Sequence, residues 1–369
     1  MHTVVFAPDS FKGTVGAAQA AAALAAGWAS VRPDDRAVLR PMADGGEGTV
    51  DAFAAAVGGA ERVPVRVTGP DDSPTDAAWL RLPASADAPA GTAVVELAST
   101  SGIELLGERR FGEEAHTLGF GQAIAAALDA GVTRLVLGIG SSASTDGGVG
   151  MLTALGARFA DASGRPIGPG SRGLTDIASA DLAGLRSLPR GGVIVLSDVT
   201  NPLLGAHGAA AVFGPQKGLD GAGVERADAG LTRLAELLPA DPMTPGSGAA
   251  GGTGFGLLAW GARLVAGSGE VGELVGLPGA VAGASVVVTG EGAFDGQSAA
   301  GKVPSYVAEV ASSCRVPVLL VAGRIAPGAD TSAFAASASL TDLAGSPAAA
   351  MADPARWLHA AGAALARTL

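Results

Sequence analysis

Residues 132–150 read VTRLVLGIGSSASTDGGVG. Residues 135–139, LVLGI, have the length and apolar character of a buried strand. The chain then breaks into glycine, serine and threonine, with one acid, Asp146, between Thr145 and Gly147. Residues 151–159, MLTALGARF, follow with helical spacing. A strand, a loop of small residues and a helix is a unit with which open α/β sheets bind anions and small substrates. Its glycines let a ligand approach the backbone, and the helix start offers unpaired N–H groups. One such loop can equally be a plain strand-to-helix turn, so the weight falls on whether the pattern recurs.

It does recur, with acids at the strand ends. Residues 3–7 form a first strand, followed by PDSFKGT with Asp9, Ser10 and Lys12. Thr14 can cap an alanine-rich helix over 17–30. A second strand over 37–42 ends in ADGGEGT, where Asp44 and Glu47 precede another helix. The runs at 62–69, 76–82 and 92–99 read as successive strands separated by turn residues. A helix over 117–129 leads into the opening strand. GVIVLSDVTNPLLG ends a strand on Asp198, with Asn201 beyond it, and Lys217 follows in AAAVFGPQKG. Residues 224–238 are an amphipathic helix, and 256–267, GLLAWGARLVAG, read as another. Strands at 285–289 and 316–321 follow, the first ending in GEGAFDGQ, and the tail from 346 is helical with Trp357 and Leu358 on its apolar side.

Alternating strands and helices at both chain ends define an α/β class. The expected architecture is two α/β domains. A Rossmann-like domain comes from residues 1–61 and 280–369, with a second, mixed α/β domain over 62–279 inserted in it.

The chain has 369 residues, a net charge of −11 and one cysteine, Cys314. The negative charge argues against nucleic acid or an anionic membrane as partner, and one cysteine allows no internal disulfide, so the cytoplasm is the expected location. The start has no signal-peptide pattern, and the uncharged run 242–262 holds too much Gly and Pro for a spanning helix. Of 24 Lys and Arg, only Lys12, Lys217 and Lys302 are lysines, each beside a glycine. A compact ammonium kept among so many arginines suits a phosphate contact.

Residues 246–251 spell G-x-G-x-x-G but follow no strand, which excludes the dinucleotide fingerprint. They leave a glycine loop, including Gly251 and Gly252, able to cradle an anion. Residues 296–303, GQSAAGKV, approach a P-loop, but Val303 stands where a magnesium-holding hydroxyl belongs and the strand is expected to end earlier. Lys302 can still meet phosphate, Gln297 and Ser298 can donate hydrogen bonds, and Glu291 and Asp295 are metal or base candidates. Asp9, Asp44, Asp146, Asp198 and Asp295 thus gather at predicted strand ends. With glycine loops and scarce lysines, this pattern points to phosphoryl transfer. Serine hydrolysis lacks G-x-S-x-G, and zinc lacks paired His or Cys spacing. A metabolite-binding protein without catalysis is the alternative from another class.

Seven motifs in order carry a resemblance. They are FAPDSFKGT, ADGGEGT, LGIGSSASTDGG, SDVTNPLLG, AVFGPQKG, GAAGGTGFG and TGEGAFDGQSAAGK, spread from Phe6 to Lys302. Through them the chain resembles the bacterial glycerate kinase family of the glycerate 2-kinase type, over nearly its whole length. The resemblance implies ATP- and Mg2+-dependent phosphorylation of D-glycerate to 2-phosphoglycerate, with the site in the cleft between two α/β domains. A kinase for another short hydroxy or sugar acid is the runner-up. The departures are Ser141 for Gly, Thr145 for Asn, Ala293 where an arginine is common, and LGFG for a YGTG-like segment at 118–121. On this reading Lys12, Lys217 and Lys302, with the glycine loops, receive the glycerate carboxylate and ATP phosphates. Asp9, Ser10, Asp44, Ser142, Asn201, Glu291, Gln297 and Ser298 join them in binding. One or two of Asp44, Asp198 and Asp295 hold magnesium, and Asp146 or Asp198 accepts or orients the substrate hydroxyl.

Overall fold

The computed structural model describes residues 1–11, 13–295 and 303–368. β1 (Thr3–Pro8) and β2 (Arg36–Leu39) open the chain. β3 (Glu61–Thr68), β4 (Pro74–Leu82), β5 (Thr92–Glu96) and β6 (Arg134–Gly138) follow. Next come the small pair β7 (Arg158–Ala160) and β8 (Ser179–Asp181), then β9 (Val193–Leu196) and β10 (Arg263–Val265). β11 (Val286–Phe294), β12 (Val318–Ile325) and β13 (Ala336–Ser339) close the chain.

Two compact units result. The first takes residues 1–44, 51–58 and 266–369, and the second takes 45–50 and 59–265. The first unit is an all-parallel sheet in the order β13-β12-β11-β1-β2. The strand order reverses between β1 and β11, and Asp9 N–H donates to the Gly290 carbonyl there at 2.8 Å. In open parallel sheets, ligands settle outside the carboxyl ends of the strands at such a reversal. Val4, Phe6, Val286, Val288, Leu319 and Val321 fill one side of the sheet against Leu24, Trp28, Leu358 and Leu365. The helix Ala17–Ala29 thereby meets the last helix, Pro354–Ala366. Their backbones approach at two glycines. A Cβ on Gly27 would stand 1.9 Å from the His359 carbonyl oxygen, and one on Gly362 would stand 2.2 Å from that of Leu24.

The second unit is a mixed sheet, order β10-β9-β6-β5-β4-β3, with β10, β9, β6 and β5 parallel and β4 and β3 antiparallel. β5 and β9 are buried along their whole length, which explains their unbroken apolar runs. β3 is an edge strand and carries Pro64, which a central strand would not tolerate.

Four sequence expectations change. The helix after Gly148 stops at Ala154, Gly156 turns left-handed with φ +108°, and residues 158–160 become β7. The helix Thr253–Trp260 ends at left-handed Gly261, φ +97°, so residues 263–265 form β10 beside β9. Thr14 does not cap the first helix: its hydroxyl bonds the Phe11 carbonyl, and Gly16 is the N-cap. The tail is two helices, with Ser346 and Asp353 each capping a helix start.

Candidate active site

Local bonding in the loop after β6 is dictated by Asp146. The residue is 1 % exposed, and its carboxylate accepts five hydrogen bonds. Thr117 N–H (2.9 Å), Thr117 Oγ1 (2.8 Å) and Gly150 N–H (3.2 Å) reach Oδ2. Ser144 Oγ (3.2 Å) and Gly148 N–H (3.1 Å) reach Oδ1. A carboxylate offers about four lone-pair sites, so this one is filled from within the protein. It caps the helix Val149–Ala154 and ties that helix to Thr117.

Beneath the same loop lies Lys217, 3 % exposed. It sits in a single 3-10 turn, Pro215–Lys217, ended by left-handed Gly218. Its Nζ donates to the Ser144 carbonyl and lies 3.5 Å from Ser142 Oγ. Ser142 Oγ also accepts from Ser144 N–H at 3.2 Å and lies 3.3 Å from the Ala250 carbonyl. Burial drives the Lys217 ammonium down from 10.5 to about 7, against the upward pull of the Asp146 charge.

The glycine loop of 248–253 locks onto this assembly. Ala250, Gly251 and Gly252 are consecutive left-handed residues, with φ of 54°, 67° and 87°. The Gly251 carbonyl accepts from Gly147 N–H at 3.0 Å. A Cβ at Gly251 would stand 2.0 Å from the Ser144 carbonyl oxygen and 2.9 Å from Lys217 Nζ. Glycine is therefore required at 251 by both dihedral and space. Ser141, in the first loop, is also left-handed at φ 59° although it carries a side chain.

The structure brings Asp146, Ser142, Lys217, Gly251 and Gly252 into one buried polar assembly. Asp198 lies two residues beyond β9 and is exposed. Asn201 is half-buried, and its side-chain amide donates to the His207 carbonyl at 2.9 Å. Thr117 and Ser144, which anchor Asp146, were not singled out in the sequence. Thr117 precedes an ordinary helix, and its partner lies 29 residues away.

In the first unit, the acids collect at the strand ends. Asp9 follows β1, and its carboxylate accepts from Ser10 N–H at 2.6 Å. Glu291 lies within β11, 6 % exposed, because that strand runs on to Phe294 rather than ending at Thr289. Asp295 follows it directly and is half-buried. One reason for setting aside the P-loop thus falls, while the missing hydroxyl at Val303 stands. Asp44 is half-buried, and the Gly267 backbone packs against it. Lys12, Gln297, Ser298 and Lys302 lie outside the described residues.

Among the described residues no group of three or more His, Cys, Asp or Glu could hold a metal by itself. Magnesium commonly takes one or two carboxylates and completes its shell with water and substrate phosphates, so the exposed or half-buried Asp44, Asp198 and Asp295 are suitable donors.

The chain belongs to the glycerate kinase family: the sequence model of that family matches residues 4–369. It is accordingly an enzyme of the phosphotransferase class. It is 42 % identical over 330 residues to the glycerate 2-kinase of Escherichia coli K12, covering 87 % of this chain and 85 % of that one. To the glycerate kinase of Bacillus subtilis it is 42 % identical over 332 residues, again 87 % and 85 %. A crystal structure described as a glycerate kinase 2 from Salmonella typhimurium LT2 superposes with a TM-score of 0.84 at 38 % identity, covering 100 % of this chain and 98 % of that one. Among the described residues no helix is long and apolar enough to cross a membrane.

Proposed function

We propose that this protein transfers the γ-phosphoryl group of ATP to D-glycerate, yielding 2-phosphoglycerate and ADP in the cytoplasm. The observation that carries this reading is the set of carboxylates at the carboxyl ends of β1 and β11. Asp9, Glu291 and Asp295 lie where the strand order of a parallel sheet reverses, in a chain of this family.

Phosphoryl transfer asks a protein mainly for positioning and charge stabilisation. Magnesium, when bound through one or two of Asp44, Asp198 and Asp295, supplies charge neutralisation on the phosphates. Lys12 and Lys302, with Gln297 and Ser298, are assigned to anionic oxygens from the sequence alone. Asp198 is the better group to orient the attacking hydroxyl, because its side chain is exposed at a strand end. Asp146 is given a different task. Its oxygens are spent on five internal donors, so it holds the loop after β6 in shape. Lys217 and Ser142 share that task from beneath the loop.

The test is purified protein with Mg-ATP and D-glycerate, with ADP release followed and the product identified by phosphorus NMR. A 2-phosphoglycerate signal that requires magnesium is expected. Asp198→Asn should lower kcat about 100-fold or more with the fold retained. Asp146→Asn should lower the melting temperature as well as turnover. ADP release with another hydroxy acid alone would move the substrate, and no release with any would overturn the reading.

A further inference from the structure

Arg324 lies on β12, one strand beyond the reversal between β1 and β11. The parallel register pairs it with Ala293 of β11 and pairs the next residues, Phe294 and Ile325. Phe294 and Ile325 pack together in an apolar cluster with Leu320, Ala322 and Phe334. Residues paired across a parallel ladder project side by side, so Ala293 and Arg324 are lateral neighbours at the ends of these strands. Asp295, one residue beyond Phe294, follows on the same strand end.

Both members of the pair are exposed. Beside the guanidinium, Ala293 carries only a methyl group. Several other arginines are tied to acids: Arg172 and Arg226 share Glu113, Arg186 meets Asp129 and Arg109 meets Asp71. Among the described residues Arg324 has no such hydrogen bond or ion pair. A planar fork of donors at the carboxyl end of a parallel strand matches the geometry of a carboxylate or phosphate.

We propose that Arg324 is an oxyanion-binding residue, receiving a carboxylate or phosphate group of a ligand bound at the carboxyl ends of β11 and β12. This rests on the kinase reading of that sheet. Two sources supply such a group here, the carboxylate of glycerate and the phosphates of ATP.

Calorimetric titration of D-glycerate and of Mg-ATP, separately, into the wild type, Arg324→Ala and the double variant Ala293→Arg/Arg324→Ala tests this. Arg324→Ala should weaken one ligand about tenfold or more, as expected for loss of a charge-assisted hydrogen bond. Its melting temperature should stay at the wild-type value, because the side chain is exposed. Selective loss of glycerate affinity identifies the carboxylate, and selective loss of ATP affinity identifies the phosphates. The double variant should recover most of the loss, since the register places residue 293 beside residue 324. Unchanged affinity for both ligands overturns the proposal, and so does a loss that Ala293→Arg fails to repair. Wild-type protein that binds both ligands but forms no phosphorylated product refutes the kinase reading and leaves the Arg324 result standing.

Discussion

Lys217 shows how a single residue changes meaning between sequence and structure. Its rarity marks it as a phosphate contact, yet its ammonium is buried under the loop and donates to the Ser144 carbonyl. Desolvation outweighs the attraction of Asp146 and brings its pKa to about 7. An unfolded lysine keeps its proton to about 10.4. Between these two values the unfolded chain binds more protons than the folded one, so this group makes stability rise with pH from about 7 to about 10. Below about 7 both states are protonated, and the cost of burying the charge is fully present. Lys217→Met retains the length and removes the titration. In urea denaturation across this range, the variant should lose the wild type's upward slope; identical slopes would show that Lys217 does not titrate there. Asp146 was equally legible as a residue, but two of its five donors come from Thr117, 29 positions away, and no sequence neighbour points to them.

At the scale of elements, the helix pair Ala17–Ala29 and Pro354–Ala366 depends on glycine for a reason other than flexibility. Gly27 and Gly362 are helical, and each lets the partner backbone come into contact. Adding one methyl at either position forces the helices apart. Gly27→Ala and Gly362→Ala should each cost about 1–3 kcal/mol in chemical denaturation, despite alanine's better helix propensity. Gly58→Ala, where a Cβ meets nothing within 4 Å, is the control and should be near neutral. A gain in stability at 27 or 362 would mean that the two helices pack less closely than described. The same scale explains the missed strand β10. Residues 256–267 have apolar spacing that fits a helix, but left-handed Gly261 stops it and Arg263–Val265 pair with β9.

At the scale of the whole molecule, the chain divides its work unevenly. The first unit is assembled from three separated segments, whereas the second is continuous from 59 to 265 apart from residues 45–50. The second also has its own large core, from Val67 through Ala262. A fragment of 59–265 should therefore show a cooperative thermal transition by circular dichroism, while a fragment of 1–58 should show none. Part of the fragment's stability will be missing, because Gly140 N–H bonds the Gly45 carbonyl and Val50 N–H bonds Glu96. A non-cooperative melt for 59–265 would show that its core needs those six residues to form.

The sequence alone determined the α/β class, the acids that follow most of the strands, and the family. Each of these is written in short windows: apolar runs of strand length, glycine-rich breaks, and motifs that survive as contiguous letters. What only the tertiary structure decided is which acids look inward and which outward. Asp146 and Asp198 both follow strands of one sheet, yet one is sealed by Thr117, Ser144, Gly148 and Gly150 while the other is exposed. The same holds for Arg324, an ordinary arginine in sequence that register sets beside Ala293, 31 positions earlier. Burial and cross-strand neighbours arise from contacts between distant segments, and no local pattern encodes them.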